Sequence, residues 1–387
     1  MCGNRVASHG LGRSRARAEF PPSARSRGAM SPLRLAVDAG VVAQDTRGIG
    51  RYARAILRRF VARDDVELTL LQPEAFPFRH RAALERALGS ARFRLHSTLR
   101  GSSDCDVVWH PANGTFFRSR LPSVATIHDA VPFRYPDPDP KRRSHAQRPF
   151  LESVRTAARF IAVSQFGREE LHDVFAIQKE RIDVIYHGVE PSFAPGPAQM
   201  LPPEIAQRRY LLFVGDPIAE PRKNFALLYQ AYREAWPSAG AAVPMLVVAG
   251  AQAPPWEGVF HAGNLGDDLN ARRADEGLRS LYRGAIALAL ASYHETFGMP
   301  LLEAMACGTP VVASRASSLP EIGGDAALFV PPDDVQAWTE ALRRITADAA
   351  LRDRLRIAGL DRATHFSWDE SAAQHLALFR DVAERGA

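Results

Sequence analysis

Residues 294–312 read HETFGMPLLEAMACGTPVV. Two glutamates, Glu295 and Glu303, stand eight positions apart. The first lies in a Phe-Gly-Met-Pro turn and the second in a short apolar helix that Gly308 ends. An apolar run, IALALAS (286–292), precedes the turn, and PVVAS (310–314) follows the helix. Strand, turn, helix and strand in this order are the unit of a parallel α/β sheet. Pro300 suits the first helical position, where its missing N–H is no loss.

The pattern repeats on both sides of this stretch. LRLAVDAGV (33–41), VELTLLQP (66–73), CDVVWHP (105–111), SVATIHD (123–129), ARFIAVSQF (158–166) and RIDVIYHGV (181–189) read as strands. RYARAILRRFVAR (51–63) has helical spacing. A segment with five prolines, PSFAPGPAQMLPPEIAQ (191–207), reads as a linker. The alternation then restarts with strand RYLLFVGDP (209–217), helix NFALLYQAYREAW (224–236), strand PMLVVAG (244–250) and helix GLRSLYRGA (277–285). The fold class is therefore α/β, with two Rossmann-like doubly wound domains facing each other across a cleft. Boundaries are expected at 31–195 for the first domain, 196–208 for the linker and 209–368 for the second domain. A C-terminal helix over 369–387 is expected to pack back toward the first domain.

Composition agrees with two cores: 46% of the 387 residues are hydrophobic and 24% charged. No apolar run reaches the roughly 18–20 residues of a membrane span. Three scattered cysteines, Cys2, Cys105 and Cys307, exclude a disulfide framework and fit a reducing, cytoplasmic setting. Of the net charge of +6, residues 1–30 carry +5: six arginines less Glu19. The remainder is nearly neutral, so the charge does not point to nucleic acid. Met30 directly precedes the first periodic sequence, and residues 1–29 read as a mis-assigned start or a disordered basic arm. DPKRRSHAQRPF (139–150) reads as a solvated basic loop, or as a contact for an anionic lipid headgroup or an acceptor pyrophosphate.

The helix opening near Pro300 presents free N–H groups with partial positive charge, an anion site suited to phosphate. Arg222 and Lys223, in GDPIAEPRKNF (215–225), stand where another helix begins and can meet the same phosphates. Carboxylates beside phosphate repel it, so Glu295 and Glu303 suit hydroxyl groups. A diphosphate flanked by polyols on both sides is a nucleotide sugar. The competing readings are solvated helix-end charges for the glutamates, a surface pair for Arg222 and Lys223, and a core histidine for His128. GIGRYA (48–53) also fits a dinucleotide fingerprint, but no acid closes a second strand at the required spacing of about 20 residues.

HETFGMPLLEAMACGTPVVAS resembles the E-x7-E signature of the GT-B glycosyltransferases of family four, the group 1 glycosyltransferases, which retain anomeric configuration. LLFVGDPIAEPRKNF, IAVSQFGREEL with RIDVIYHGVEPSF, VATIHDAVPFRYP, DTRGIGRYARAIL and SLPEIGGDAALFVPPDD resemble the family's other segments, in order, from residue 34 to 370. The resemblance implies that Glu295 contacts the donor sugar and Glu303 the ribose. It implies that Lys223 and Arg222 hold the diphosphate, with His128 beside sugar and acceptor. Gly48, Gly50, Gly215, Gly298 and Met299 join the donor site, with 31–195 as the acceptor-side domain and 209–368 as the domain that binds the donor. His187 departs from the usual Asn, Glu190 from Asp, and Asp216 from a phosphate-binding Arg in some members. Segment 251–276 matches poorly.

The implied reaction is transfer of a hexose, with bacterial mannosyltransferases and GDP-mannose favoured, to a saccharide or lipid-linked saccharide in surface polysaccharide synthesis. No metal or other cofactor is expected, since no D-x-D pair ends a strand. Expected partners are the nucleotide sugar, the acceptor and the inner face of an anionic membrane, with no nucleic acid. The alternative is a catalytically silent nucleotide-sugar scaffold or sensor.

Overall fold

The apolar runs become parallel strands because helices cover both faces of each sheet, and such strands are buried throughout. The computed structural model describes residues 31–386 apart from 44, 46–47, 74–75, 99–103, 116, 118, 239, 241–242, 253 and 264–270, and for 271–275 the backbone alone. The basic segment 1–30 and residues 264–270 of segment 251–276 lie outside the described residues. Pro32–Ala387 forms one compact unit.

Among the described residues, two sheets follow each other in the chain. The first contains β1 (Leu33–Asp38), β2 (Val66–Gln72), β3 (Arg94–Ser97), β4 (Val107–His110), β5 (Ser123–Ile127), β6 (Arg159–Ala162) and β7 (Ile182–Val184), in the order β3-β2-β1-β4-β5-β6-β7. The second contains β8 (Tyr210–Val214), β9 (Met245–Ala249), β10 (Val259–His261), β11 (Ala287–Leu290), β12 (Val311–Ser314) and β13 (Leu328–Val330), in the order β10-β9-β8-β11-β12-β13. Every pairing is parallel. The expected doubly wound α/β class is therefore what the chain forms, twice. Each sheet reverses its winding once, between β1 and β4 and between β8 and β11. Ligands of such sheets bind beyond the strand ends at these switch points. The loops after β8 and β11 carry Lys223 and Glu295.

Several local expectations are corrected. Residues 139–150 are not a loop: Pro140–Thr156 is a helix, capped by Asp139, whose carboxylate accepts from the backbone N–H groups of Lys141 and Arg142. Its polar composition hides it, since only Phe150 and Ser153 are buried. The helix before β11 starts earlier than 277, at Ala271–Gly284. Pro300 takes the second rather than the first position of helix Met299–Ala306, and Gly298 is its N-cap at φ 90°. The proline-rich linker contains a short helix, Pro203–Ala206, and is pinned to Ala271–Gly284 by Arg283 Nε donating to the Ala194 carbonyl at 2.8 Å.

Helix Trp368–Gly386 crosses back onto the first sheet. Phe379 packs against Phe60 and Trp109, with ring centroids 6.2 and 5.5 Å apart. No helix among the described residues is long and apolar enough to cross a membrane.

Candidate active site

Gly215 follows β8 at φ 146°, and a Cβ there would overlap the Lys223 side chain. Glycine thus lets the lysine lie flat across the strand end. Pro221–Lys223 forms a 3-10 turn, and Asn224 adopts the left-handed conformation, φ 55°. Its Nδ2 donates to the carbonyls of Ala291 (3.2 Å) and Pro332 (2.7 Å), tying the turn to the loops after β11 and β13.

This turn aims two cations at Glu295. Lys223 Nζ donates to Glu295 Oε1 at 3.1 Å, and Arg222 Nη1 lies 3.7 Å from Oε2. Ser292 Oγ adds a bond of 2.9 Å to Oε1. Burial pushes the Glu295 carboxyl up. The charges of Lys223 and Arg222 and the bonds from Lys223 and Ser292 outweigh that, leaving it below the usual carboxylate range. Arg222 also donates to the His294 carbonyl (3.1 Å) and to Glu220 (2.6 Å). Ser317 and Ser318 fix the Glu295 backbone: the Glu295 N–H donates to Ser317 Oγ at 2.9 Å, and Ser318 Oγ donates to the Glu295 carbonyl at 2.7 Å. Glu295 and Lys223 are 8% and 7% exposed, so neither is a solvated surface charge.

Glu303 lies about one turn into Met299–Ala306 and is 2% exposed. Its Oε2 accepts from the Tyr282 hydroxyl at 3.0 Å. Its Oε1 lies 2.7 Å from Arg51 Nη2, which reaches over from helix Gly48–Phe60 beside the first sheet. Arg51 and Tyr282 were not singled out from sequence, although Arg51 stands inside the GIGRY segment, which is the first turn of helix Gly48–Phe60. Of the two glycines in that turn, Gly48 faces open space. Gly50 is required by packing within the chain, where a Cβ would overlap the Asp45 carbonyl.

His128 ends the β5 segment. Its backbone N–H donates to Asn113 Oδ1 (2.6 Å), and Nε2 lies 2.8 Å from the Pro111 carbonyl. Burial pulls its pKa below 6.5, against the opposing Pro111 carbonyl and the charges of Asp129 and Asp45. The ring is therefore neutral at pH 7. We assign the Nε2–H tautomer from the Pro111 bond, which leaves Nδ1 as an acceptor. The His187 ring lies 5.5 Å from His128 and 4.6 Å from Phe297, and its Nδ1 is 3.3 Å from Met299 Sδ. His187 thus joins His128 to the start of the Glu303 helix.

Beneath these rings lies a hydrogen-bond chain of fixed direction. His375 Nδ1 bonds the Ser371 carbonyl (2.7 Å) and must donate, so Nε2 accepts from the Tyr52 hydroxyl at 2.5 Å. Tyr52 then accepts from Thr126 (3.0 Å), and Thr126 accepts from Trp109 Nε1 (3.0 Å). Burial pulls His375 down to about 4, which keeps it neutral and able to accept.

Further contacts join the two halves. His294, next to Glu295, bonds Glu170 Oε1 at 2.8 Å through Nε2, and Arg134 donates to the same oxygen at 3.2 Å. Glu170 Oε2 accepts from the Ala130 N–H at 3.3 Å. Glu321 accepts from the backbone N–H groups of Gln165 (2.7 Å) and Phe166 (3.1 Å) and from Tyr186 (2.9 Å). Glu170 was missed from sequence, because its partners come from loops distant in the chain. Among the described residues no cluster of three or more histidine, cysteine or carboxylate side chains could hold a metal ion.

Two family models match the chain. "Glycosyltransferase Family 4" covers residues 46–193 and "Glycosyl transferases group 1" covers residues 208–348. Over 367 residues the chain is 29% identical to the O-antigen chain mannosyltransferase B of Escherichia coli, an overlap of 86% of this chain and 96% of that one. It is 29% identical over 290 residues to the D-inositol 3-phosphate glycosyltransferase of Kribbella flavida, covering 69% of this chain and 67% of that one. The crystal structure of Alr3699/HepE from Anabaena in complex with UDP-glucose shares the fold, with a TM-score of 0.64 at 16% identity, covering 90% and 99% of the two chains. With two matched models in order along two doubly wound domains, the chain belongs to the group 1, family 4 glycosyltransferases and has their GT-B fold.

Proposed function

We propose that this glycosyltransferase moves mannose from GDP-mannose, with retention at the anomeric carbon, to a saccharide or lipid-linked saccharide of a surface polysaccharide. The observation that carries the reading is the cluster of buried Lys223 and Glu295 with half-buried Arg222, just ahead of helix Met299–Ala306, with Glu303 one turn into that helix. It offers two cations and the positive end of a helix dipole for a diphosphate, and carboxylates for the hydroxyls on either side of it. The mannose assignment draws on the 29% identity to an O-antigen mannosyltransferase.

In this reading the ribose hydroxyls donate to Glu303, and Lys223, Arg222 and the positive end of the helix dipole hold the diphosphate. Gly215 and Gly298 shape the backbone on either side, and Met299 begins the helix. The bond from the anomeric carbon to phosphate breaks first, giving an oxocarbenium-like state. The acceptor oxygen bonds the same face of that carbon, and its proton passes to the departing phosphate oxygen. The protein's contribution is electrostatic: charge growing on the diphosphate meets preorganised cations in a site shielded from water. Glu295 holds the sugar as it flattens, and His128 Nδ1 accepts a hydrogen bond from a sugar or acceptor hydroxyl.

Helix Pro140–Thr156 bears Lys141, Arg142, Arg143, Arg148 and Arg155 against the acid Glu152. That surface suits peripheral contact with an anionic membrane carrying a lipid-linked acceptor. The test is turnover. Release of GDP from GDP-mannose should exceed release from UDP-, ADP- and dTDP-sugars by at least tenfold and should rise with acceptor. The product linkage, read by NMR coupling at the anomeric position, should keep the donor's configuration. Inversion, or equal inactivity toward all donors, refutes the reading.

A further inference from the structure

We infer that Arg51 is a donor-contacting residue: it pairs with the Glu303 carboxylate, yields it to the donor's ribose, and passes its own guanidinium to the diphosphate. The inference rests on Glu303 as the ribose acceptor. Glu303 spends Oε2 on Tyr282, and Arg51 covers Oε1 at 2.7 Å. The Glu303 side chain is 3% exposed and that of Arg51 is 23% exposed, so the guanidinium forms the outer wall of the carboxylate's seat. A ribose diol can reach Glu303 only when that guanidinium moves.

The backbone beneath Arg51 is fixed, so the side chain must do the moving. Gly50 is wedged against the Asp45 carbonyl. Tyr52 is bonded to Thr126 and His375. On one side Arg51 lies over the Phe193 ring, 5.4 Å from its centroid, and Arg279 lies 6.0 Å from the same centroid. Arg279 there is paired with Glu276, which also faces Arg283, so Arg51 gains no spare anion on that side. The opening of Met299–Ala306 is about one helical turn, roughly 6 Å along the axis, from Glu303. There the donor's diphosphate supplies the anion that replaces the lost carboxylate.

This exchange gives removal of Arg51 effects of opposite sign on two ligands. Guanosine competes with Arg51 for Glu303 and receives nothing back. GDP competes in the same way but gains an arginine contact on its phosphates. Charge-assisted contacts of that kind correspond to roughly 10–100-fold in affinity. Calorimetry should therefore show Arg51→Ala binding guanosine several-fold more tightly than the parent and GDP about tenfold more weakly. Arg51→Gln, which keeps side-chain length and some hydrogen bonding, should move both affinities the same way by less, and it serves if the alanine variant does not fold.

Equal weakening of both ligands makes Arg51 a structural residue and overturns the inference. Tighter binding of both makes it a plug without a phosphate role and also overturns it, as does no change in either. Glu303→Gln separates the underlying reading: if guanosine affinity is unchanged in that variant, the ribose assignment fails, whatever Arg51 does.

Discussion

Replacing Lys223 by alanine should act on the phosphates and on Glu295 together. Lys223 Nζ lies 3.1 Å from Glu295 Oε1, and Arg222 is the more distant second cation at 3.7 Å. At an effective dielectric of about 20, a charge pair at that shorter separation attracts by about 5 kcal/mol before desolvation is deducted. The net loss for GDP is one or two charge-assisted bonds, about 1.5–3 kcal/mol, or roughly 10–150-fold. Lys223→Ala also leaves Glu295 as a buried carboxylate with a single cation, facing the incoming diphosphate. We therefore expect the upper part of that range, near 100-fold for GDP, with guanosine within about twofold of the parent.

The pH dependence carries a sign. Glu295 titrates below its ordinary value, so its contribution to stability is fully present above about 4.5 and is lost as pH falls through the folded value. Without Lys223 that depression weakens. The stability gap between parent and variant should be widest near neutrality and close below about pH 4.5. Calorimetry with GDP and guanosine, alongside thermal melts from pH 4 to 8, measures both effects. Equal weakening of guanosine and GDP, or a stability gap that widens in acid, would rule out a phosphate role for Lys223.

Gly215→Ala should reproduce much of the Lys223 phenotype, because the added methyl overlaps the lysine stem at a φ that disfavours alanine; GDP titration reads it. Tyr52→Phe breaks the bonds to Thr126 and His375 and strands buried partners at about 1–3 kcal/mol. It should lower the melting temperature by a few degrees and leave GDP affinity unchanged. Glu170→Gln weakens the bond that holds His294 beside Glu295, so kcat should fall while GDP affinity stays. Burial pushes the Glu170 carboxyl up, but His294, Arg134 and the Ala130 N–H hold it below its usual range. The melting-temperature deficit of this variant should likewise shrink as pH falls below about 4.5, which a pH series of melts checks.

Much of this molecule is legible in its sequence because local patterns carry it. β8 and β11 are unbroken apolar runs, buried on both faces, and that continuity announces a parallel sheet. β10 and β13 are three residues each and partly exposed, too short to show a period. Pro140–Thr156 was hidden because its exposed polar surface and interior Pro149 read as loop, whereas Asp139 and Pro140 supply its start. In the site, Glu295 and Lys223 stand out because glycine and proline turns mark the strand ends that hold them. Arg51, Tyr282 and Glu170 do not, since each gains meaning from a partner supplied by the fold. The burial of Glu303, which sequence places only near the mouth of the helix, follows from that same cross-domain pairing.

In the proposed division of labour Glu303 binds the nucleotide and Glu295 serves sugar transfer. The direct measurement compares Glu295→Gln with Glu303→Gln, taking GDP affinity by calorimetry and kcat and KM for GDP-mannose by steady-state kinetics. Glu303→Gln should raise Kd for GDP and KM together with a small change in kcat. Glu295→Gln should lower kcat by at least 100-fold with GDP affinity kept within a fewfold, the pattern of an interaction made in the transition state. Matched loss of GDP affinity in both variants, with kcat untouched, would contradict this division.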